Sequence, residues 1–282
     1  MISKRECLRQ GELVVTDHDE LIRILEDRAQ SDKWFTPKIN ETSVIGFTRS
    51  AEETEAAATD PAEDWAYGMI RKEGACIDRD IMGMSSLFLL FPDAEGTKLA
   101  YPLYGSGLRC TADRMGEGGK TFWDKLSPEK KAERLREDAL FYPKECQILV
   151  REGMVIGNHS AGYVVLPEIE LIKTMEAALT GEHPDLAFKR GEISLEFLHC
   201  WYDLNDPVNE ECFELILEEH GVDTMDQPVR CGIEFYTSDS ASSSAAVYPY
   251  FSVRGLIARI GDGIRLDHDG MSSIKEWKKR LP

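Results

Sequence analysis

The chain has 282 residues, 42% of them hydrophobic, and 33 Lys and Arg against 51 Asp and Glu give it a net charge of −18. That length buries the core of one large domain or two modest ones, and the charge repels phosphate backbones at long range, which opposes indiscriminate nucleic-acid binding. No apolar run approaches the ~20 residues that span a bilayer.

The opening MISKRECLRQGE carries no apolar secretory region and no small-residue cleavage site. The seven cysteines are scattered and include no C-x-x-C pair, which argues against a disulfide framework or a zinc cluster. The expectation is a cytoplasmic protein, monomeric or weakly dimeric, with no cofactor, no metal and no membrane partner.

Along the chain, Thr16-Asp17 precedes an amphipathic run (Leu21, Ile22, Ile24, Leu25, Ala29) with Glu20 three residues after Asp17, a capped helix start. Trp34 to Pro37 ends that helix, and Ser43 to Thr48 reads as a short strand. Arg49 to Asp64 is acidic and Ala-rich without apolar periodicity, an exposed loop or loose helix. Trp65 to Ala75 forms a short helix closed by Gly74, and Ser86–Phe91 and Leu99–Tyr104 form a hairpin around Pro92 to Gly96.

Ser106 starts a helix stopped by Gly116, Gly118-Gly119 is a joint, and Ser127-Pro128 opens a helix to about Leu140. Gln147 to Leu179 follows as the organising stretch. It reads as a strand, a turn at Arg151-Glu152-Gly153, a second strand, a polar bend at Gly157 to Ser160, a third strand at Tyr163 to Leu166, and a helix after Pro167.

Ile193 to Tyr202 alternates as one strand with Ile193, Leu195, Phe197, His199 and Trp201 on its apolar face. A helix from Asp206-Pro207 to Glu219 is followed by a strand at Val229 to Phe235, a polar turn at Thr237 to Ser244, and a strand at Ala245 to Val253. Leu256–Ile260, Ile264–Leu266 and a basic terminal helix close the chain.

These elements predict an α+β fold with a largely antiparallel or mixed sheet built from hairpins, helices packed on it, and a small helical insert. One division places an N-terminal α+β region at 1–104, with an exposed acidic loop at about 49–64. A second region then spans 105–282, with the insert at 105–140, a sheet core at 146–266 and the terminal helix. A single continuous domain is the alternative.

Few residues carry a chemical pattern. Asp17-His18-Asp19 is explained by helix capping; Asp267-His268-Asp269 sits in a turn whose backbone could fold two carboxylates round a cation. Asn158-His159-Ser160 places an imidazole beside a hydroxyl but lacks an orienting acid, and reads first as a polar bend. His199 reads as a core histidine. No phosphate loop, H-E-x-x-H or dinucleotide fingerprint is present.

From about Leu108 onward, GLRCTADRMG, then LSPEKKAERL, then CQILVREGMVIGNHSAGYVVLP, then GIEFYTSDSASSSAAVYPYF resemble the phage- and plasmid-borne family called domain of unknown function 932. The matching positions are Arg151, Gly153, Ser160 and Tyr163 in the hairpin motif and Ser238 and Asp239 in the polar turn. The resemblance implies a mobile-element origin in a bacterial or phage-infected cytoplasm, and it carries over no catalytic residue.

Three functional readings follow. The first is a non-catalytic mobile-element protein that binds a protein partner, as a counter-defence protein would, through an acidic surface. Residues 168–226 hold 16 acidic residues against 3 basic, and Glu210, Glu211, Glu214 and Glu218 are expected to face solvent opposite an apolar side of Cys212, Leu215 and Ile216. The second is an accessory factor for single-stranded nucleic acid in replication or recombination, using Arg109, Arg114, Lys120, Trp123 and Arg134. The third is an enzyme with an unrecognised site around His159, Ser160 and His268. The first reading is preferred, because charge opposes the second and no constellation supports the third.

Overall fold

The computed structural model describes residues 13–59, 65–116, 123–224, 227–240, 244–270 and 272–282. The fold is α+β, with three antiparallel sheets. The chain divides into two compact units, 31–163 and 1–30 with 164–282, a grouping that differs from the 104/105 division and cuts through the stretch read as organising. No helix among the described residues is long and apolar enough to cross a membrane.

In the unit 31–163, β1 (Leu13–Val15) and α1 (His18–Ser31) having come before, Trp34 and Phe35 belong to a strand, β2 (Lys33–Phe35). This strand pairs with β6 (Cys146–Arg151), which pairs with β7 (Met154–Ser160). The β6–β7 connection is the two residues Glu152 and Gly153, both with positive φ (51° and 76°), the turn whose twist matches that of a hairpin.

A second small sheet contains β3 (Ser43–Gly46), β4 (Leu87–Pro92) and β5 (Lys98–Pro102). The apolar run of β4 is buried on both faces: Leu87, Leu89 and Phe91 enter one cluster, Phe88 and Leu90 another. The acidic stretch after Arg49 folds in part as α2 (Ala51–Thr59), started by a reciprocal cap in which Ser50 N donates to Glu53 and Glu53 N to Ser50 Oγ. Residues 60–64 lie outside the described residues. The helix α3 (Trp65–Lys72) buries Ala66 and Ile70, and Gly74 follows it with φ 76°.

The helix α4 (Gly105–Arg114) lies directly on β7. A Cβ at Gly107 would come within 1.9 Å of the Val155 carbonyl oxygen, and Ser106 Oγ donates to Ile156 O at 2.7 Å. The helix α5 (Pro128–Ala139) is capped by Ser127 and buries Ala132, Leu135 and Ala139. The joint at Gly118-Gly119 lies outside the described residues.

The third strand expected at Tyr163 to Leu166 does not form. The chain turns there instead, with Tyr163 N donating to Ser160 O and Gln147 Nε2 donating to the carbonyls of Ala161 and Tyr163. A side-chain amide thus takes the carbonyls a neighbouring strand would have used.

The other unit is a seven-stranded sheet in the order β1-β8-β9-β10-β11-β12, with β13 also paired to β11. Its strands are β8 (Ala187–Ile193), β9 (Leu198–Leu204), β10 (Arg230–Thr237), β11 (Ala245–Val253), β12 (Leu256–Arg259) and β13 (Ile264–Leu266). The expected single strand from Ile193 to Tyr202 is in fact the β8–β9 hairpin. Ser194 Oγ accepts from the backbone N–H of Glu196 and of Phe197, a hydroxyl-capped turn that reverses the chain.

That reversal decides which side chains are core. Leu198, Cys200 and Tyr202 of β9, with Ile233, Phe235 and Val247, enter one apolar cluster with α1 and α6 (Glu168–Glu182). The terminal helix α8 (Ile274–Arg280) joins it through Trp277, fully buried, whose indole N–H donates to Leu171 O at 3.1 Å. Arg28 crosses this layer to Glu168 at 2.7 Å and to Ser194 O at 2.6 Å. With α1, α6 and α8 on that face, the alternate residues of the strands form the opposite face of the sheet.

Candidate functional site on the sheet face

Two cross-strand rows define the face opposite the helices. Direct register partners run Arg190–Trp201–Glu234–Tyr248 in one row and Glu192–His199–Tyr236–Ala246–Arg265 in the next. Partners at one register share a face, so aromatic rings and cations from six strands converge here, Arg259 of β12 included.

The smallest side chain, Ala246, sits between Tyr236 and Arg265, and a cavity of about 520 Å³ opens there. It is lined by His199, Tyr236, Ser244, Ala246, Tyr248, Arg259 and Arg265. Ligand pockets span roughly 300–1,000 Å³, so this one accommodates a single small molecule or one unit of a polymer.

Glu234 organises the site. It is 3% exposed, accepts from His199 Nε2, and is gripped by Arg259 through Nε on one oxygen and Nη2 on the other at 2.8 Å. Burial by itself would push this carboxyl up. The hydrogen bonds and charges of His199 and Arg259 outweigh it and lower the pKa to about 2, so Glu234 is anionic.

The rings are packed on one another and on guanidinium groups. His199 lies 3.7 Å from Trp201 and meets Tyr236 edge-on at 5.4 Å. Arg190 sits 4.2 Å over Trp201, while Arg259 and Arg265 sit 4.7 and 5.5 Å from the Tyr248 ring. Arg265 Nε donates to the Tyr248 hydroxyl at 2.5 Å. The buried indole N–H of Trp201 has no hydrogen-bond partner.

Chemically, rings and guanidinium groups so placed can hold a planar or anionic group. A nucleophile is not in place: Ser244 Oγ donates to Asp267, not to His199, and nucleophilic catalysis needs hydroxyl and base joined. Among the described residues no group of three His, Cys, Asp or Glu is placed to hold a metal ion.

The residues singled out from the sequence lie elsewhere. On α7 (Pro207–Glu219), Glu210 is buried, accepting from Cys231 N at 3.1 Å and facing Arg230 at 3.4 Å. Glu214 accepts from Val229 N at 2.9 Å, while Glu211 and Glu218 are exposed. The expected apolar side is reversed: Cys212, Leu215 and Ile216 are exposed, and Phe213 turns inward to stack on Phe251 at 4.0 Å. Two carboxylates bonded to the N–H groups of Val229, just before β10, and of Cys231 within it hold the helix in that rotation.

Of the nucleic-acid set, Arg109 and Arg114 are exposed, Arg134 is half-buried, and Lys120 lies outside the described residues. Trp123 is 9% exposed within a core cluster, with Lys131 5.6 Å from its ring, so its face is closed to a stacking base.

His159 is buried between Trp34 and Tyr163, 3.8 Å from the latter, and Ser160 is exposed. His268 belongs to the other unit, with Nδ1 3.0 Å from Val164 O, and its pKa is lowered by burial. The aspartates flanking His268 serve turns: Asp267 accepts from Ser244 and Asp269 from Ser272.

Of the cavity's lining only His199 stands out in the sequence, and the structure places it on the open face rather than in the core. The signal was the second half of each alternation: Glu234 and Tyr236 in β10, Ala246 and Tyr248 in β11. No family model, curated protein or solved structure matches this chain. What defines the protein is therefore its own geometry, an antiparallel sheet with helices on one face and an aromatic–cationic cavity on the other.

Proposed function

We propose that this protein works by binding rather than by catalysis, and that the cavity beside Arg259 and Arg265 is where it holds a small anionic ligand. The observation that carries this reading is the pair of guanidinium groups about the Tyr248 ring, one spent on Glu234 and the other, Arg265, with no carboxylate partner among the described residues. A cation in that position favours an anion that its Nη groups can reach. Titration with inorganic pyrophosphate at low ionic strength tests it. Saturable binding at one site, weakened about tenfold in Arg265→Gln, supports the reading, and no binding by the wild-type chain contradicts it.

A second reading, recognition of a protein partner, has its own support in α7. Val208, Leu215 and Ile216 are 70%, 54% and 48% exposed beside Glu211 and Glu218, a mixed apolar and acidic surface of the kind that partners cover. A mobile-element origin and a place in the domain of unknown function 932 family remain part of this proposal, on the motifs around Arg151, Tyr163 and Asp239.

A further inference from the structure

We infer that the ligand of this cavity is a nucleoside monophosphate unit, with its phosphate at Arg265 and its base against Tyr236 and His199. The inference rests on the anion reading above and adds the chemical class.

Charge sets how many phosphates the site can take. Arg259 is committed to Glu234 through Nε and Nη2. Arg190 lies over Trp201 and pairs with Glu192 at 3.3 Å. Asp267 accepts from Ser244, a residue of the cavity lining. Arg265 alone among these cations has its Nη groups uncommitted, and one guanidinium matches one phosphate bidentately rather than a row of them. The net charge of −18 acts against a long polyanion in the same direction.

The planar part of the ligand follows from the row in which Arg265 stands. Along it, Ala246 leaves the gap, and Tyr236 and His199 come next, their rings at 86° to each other. Adjacent strands lie about 4.8 Å apart, so Tyr236, two strands from Arg265, is roughly 10 Å away across the sheet. That is the span from a nucleotide's phosphate to its base. An aromatic ring on a sheet face, with a second ring set edge-on beside it, is a stacking wall that accepts any nucleobase. The Tyr236 hydroxyl and Ser244 Oγ supply polar atoms at the rim, and the volume of about 520 Å³ takes one such unit and no more.

Calorimetric titration of the full chain with AMP, UMP, adenosine, inorganic phosphate and a single-stranded oligonucleotide tests the inference. The expected result is that AMP or UMP binds at least about tenfold more tightly than phosphate or adenosine alone. Arg265→Gln should then weaken the nucleotide about tenfold. Tyr236→Ala should weaken nucleotide and nucleoside together while leaving phosphate unchanged. Both positions reach the surface, and melting curves show whether either variant is unfolded; Tyr236→Leu, which keeps bulk without a stacking face, replaces Tyr236→Ala if it is.

Phosphate binding with no gain from a base overturns the nucleotide inference and leaves the anion reading standing. Failure of every compound, pyrophosphate included, overturns both. An oligonucleotide that binds far more tightly than the mononucleotide assigns the face to a strand instead and overturns the single-unit inference.

Discussion

Arg259 reaches across β11 to grip Glu234 on β10, with Nε on one carboxylate oxygen and Nη2 on the other. The carboxylate is 3% exposed, whereas the arginine side chain is 49% exposed. A buried charge is tolerated only when paired and hydrogen-bonded, so this contact ties β12 to β10 beyond its ladder with β11 and, with His199, satisfies the buried carboxylate.

The pair makes stability pH-dependent in a stated direction. Glu234 has its folded pKa lowered to about 2 from an unfolded value of 4.5. Its contribution is therefore fully present above pH 4.5 and is lost as the pH falls from there toward 2. The difference corresponds to ~3 kcal/mol. Melting temperature followed from pH 6 downward should fall more steeply in the wild type than in Glu234→Gln; parallel curves would show that the pair contributes nothing.

The acids of α7 divide into two kinds. Glu210→Lys removes the acceptor of Cys231 N and places a cation against Arg230, which should cost ~2–3 kcal/mol. Glu218→Lys, on an exposed position, should change stability by no more than about 0.5 kcal/mol. Urea denaturation of the two variants checks this, and equal midpoints would contradict it.

Thiol reactivity should follow burial. Cys110, Cys146, Cys200 and Cys231 are buried, and burial pushes Cys146 up to about 12 and Cys231 up to about 11, with the charge of Glu210 adding to the latter. Cys76 and Cys212 are exposed. Alkylation of the native chain at neutral pH, read by peptide mass spectrometry, should label those two before the other four described cysteines. Rapid labelling of Cys146 would contradict the burial of β6.

Val155→Asp should unfold the unit 31–163. Val155 is fully buried on β7, and its carbonyl lies beneath Gly107. An unpaired carboxylate there costs several kcal/mol, ~3–5, enough to abolish a cooperative melt. An unchanged melting curve would contradict the packing of α4 on β7.

The sequence carried local structure well and long-range placement poorly. The cap at Asp17, the positive-φ turn at Gly153, Gly116 after α4 and the helix start at Ser127-Pro128 are visible because each depends on neighbours in the chain. Tyr163 to Leu166 forms no strand because β-branched and aromatic residues mark a strand only where a partner strand exists, and there Gln147 takes the carbonyls of Ala161 and Tyr163 instead. Between Ile193 and Tyr202 a turn held by one hydroxyl, that of Ser194, leaves the apolar alternation intact and so hides the hairpin. His199 consequently fell on the wrong face. The rotation of α7 followed two carboxylates that bond to strand N–H groups far along the chain, which no hydrophobic periodicity records. The cavity needs five strands in register, β9 to β13, so none of its residues is a neighbour of another in sequence beyond those within one strand.

The proposed ligand-binding surface is the sheet face around Glu234, not α7 and not the basic helices. Chemical-shift mapping with AMP on isotope-labelled protein tests it most directly. Resonances of His199, Tyr236, Tyr248, Arg259 and Arg265 should move along one saturable curve while those of α7, Arg109 and Arg134 stay still. Shifts centred on α7 or on Arg109, or no shifts at saturating ligand, would contradict it.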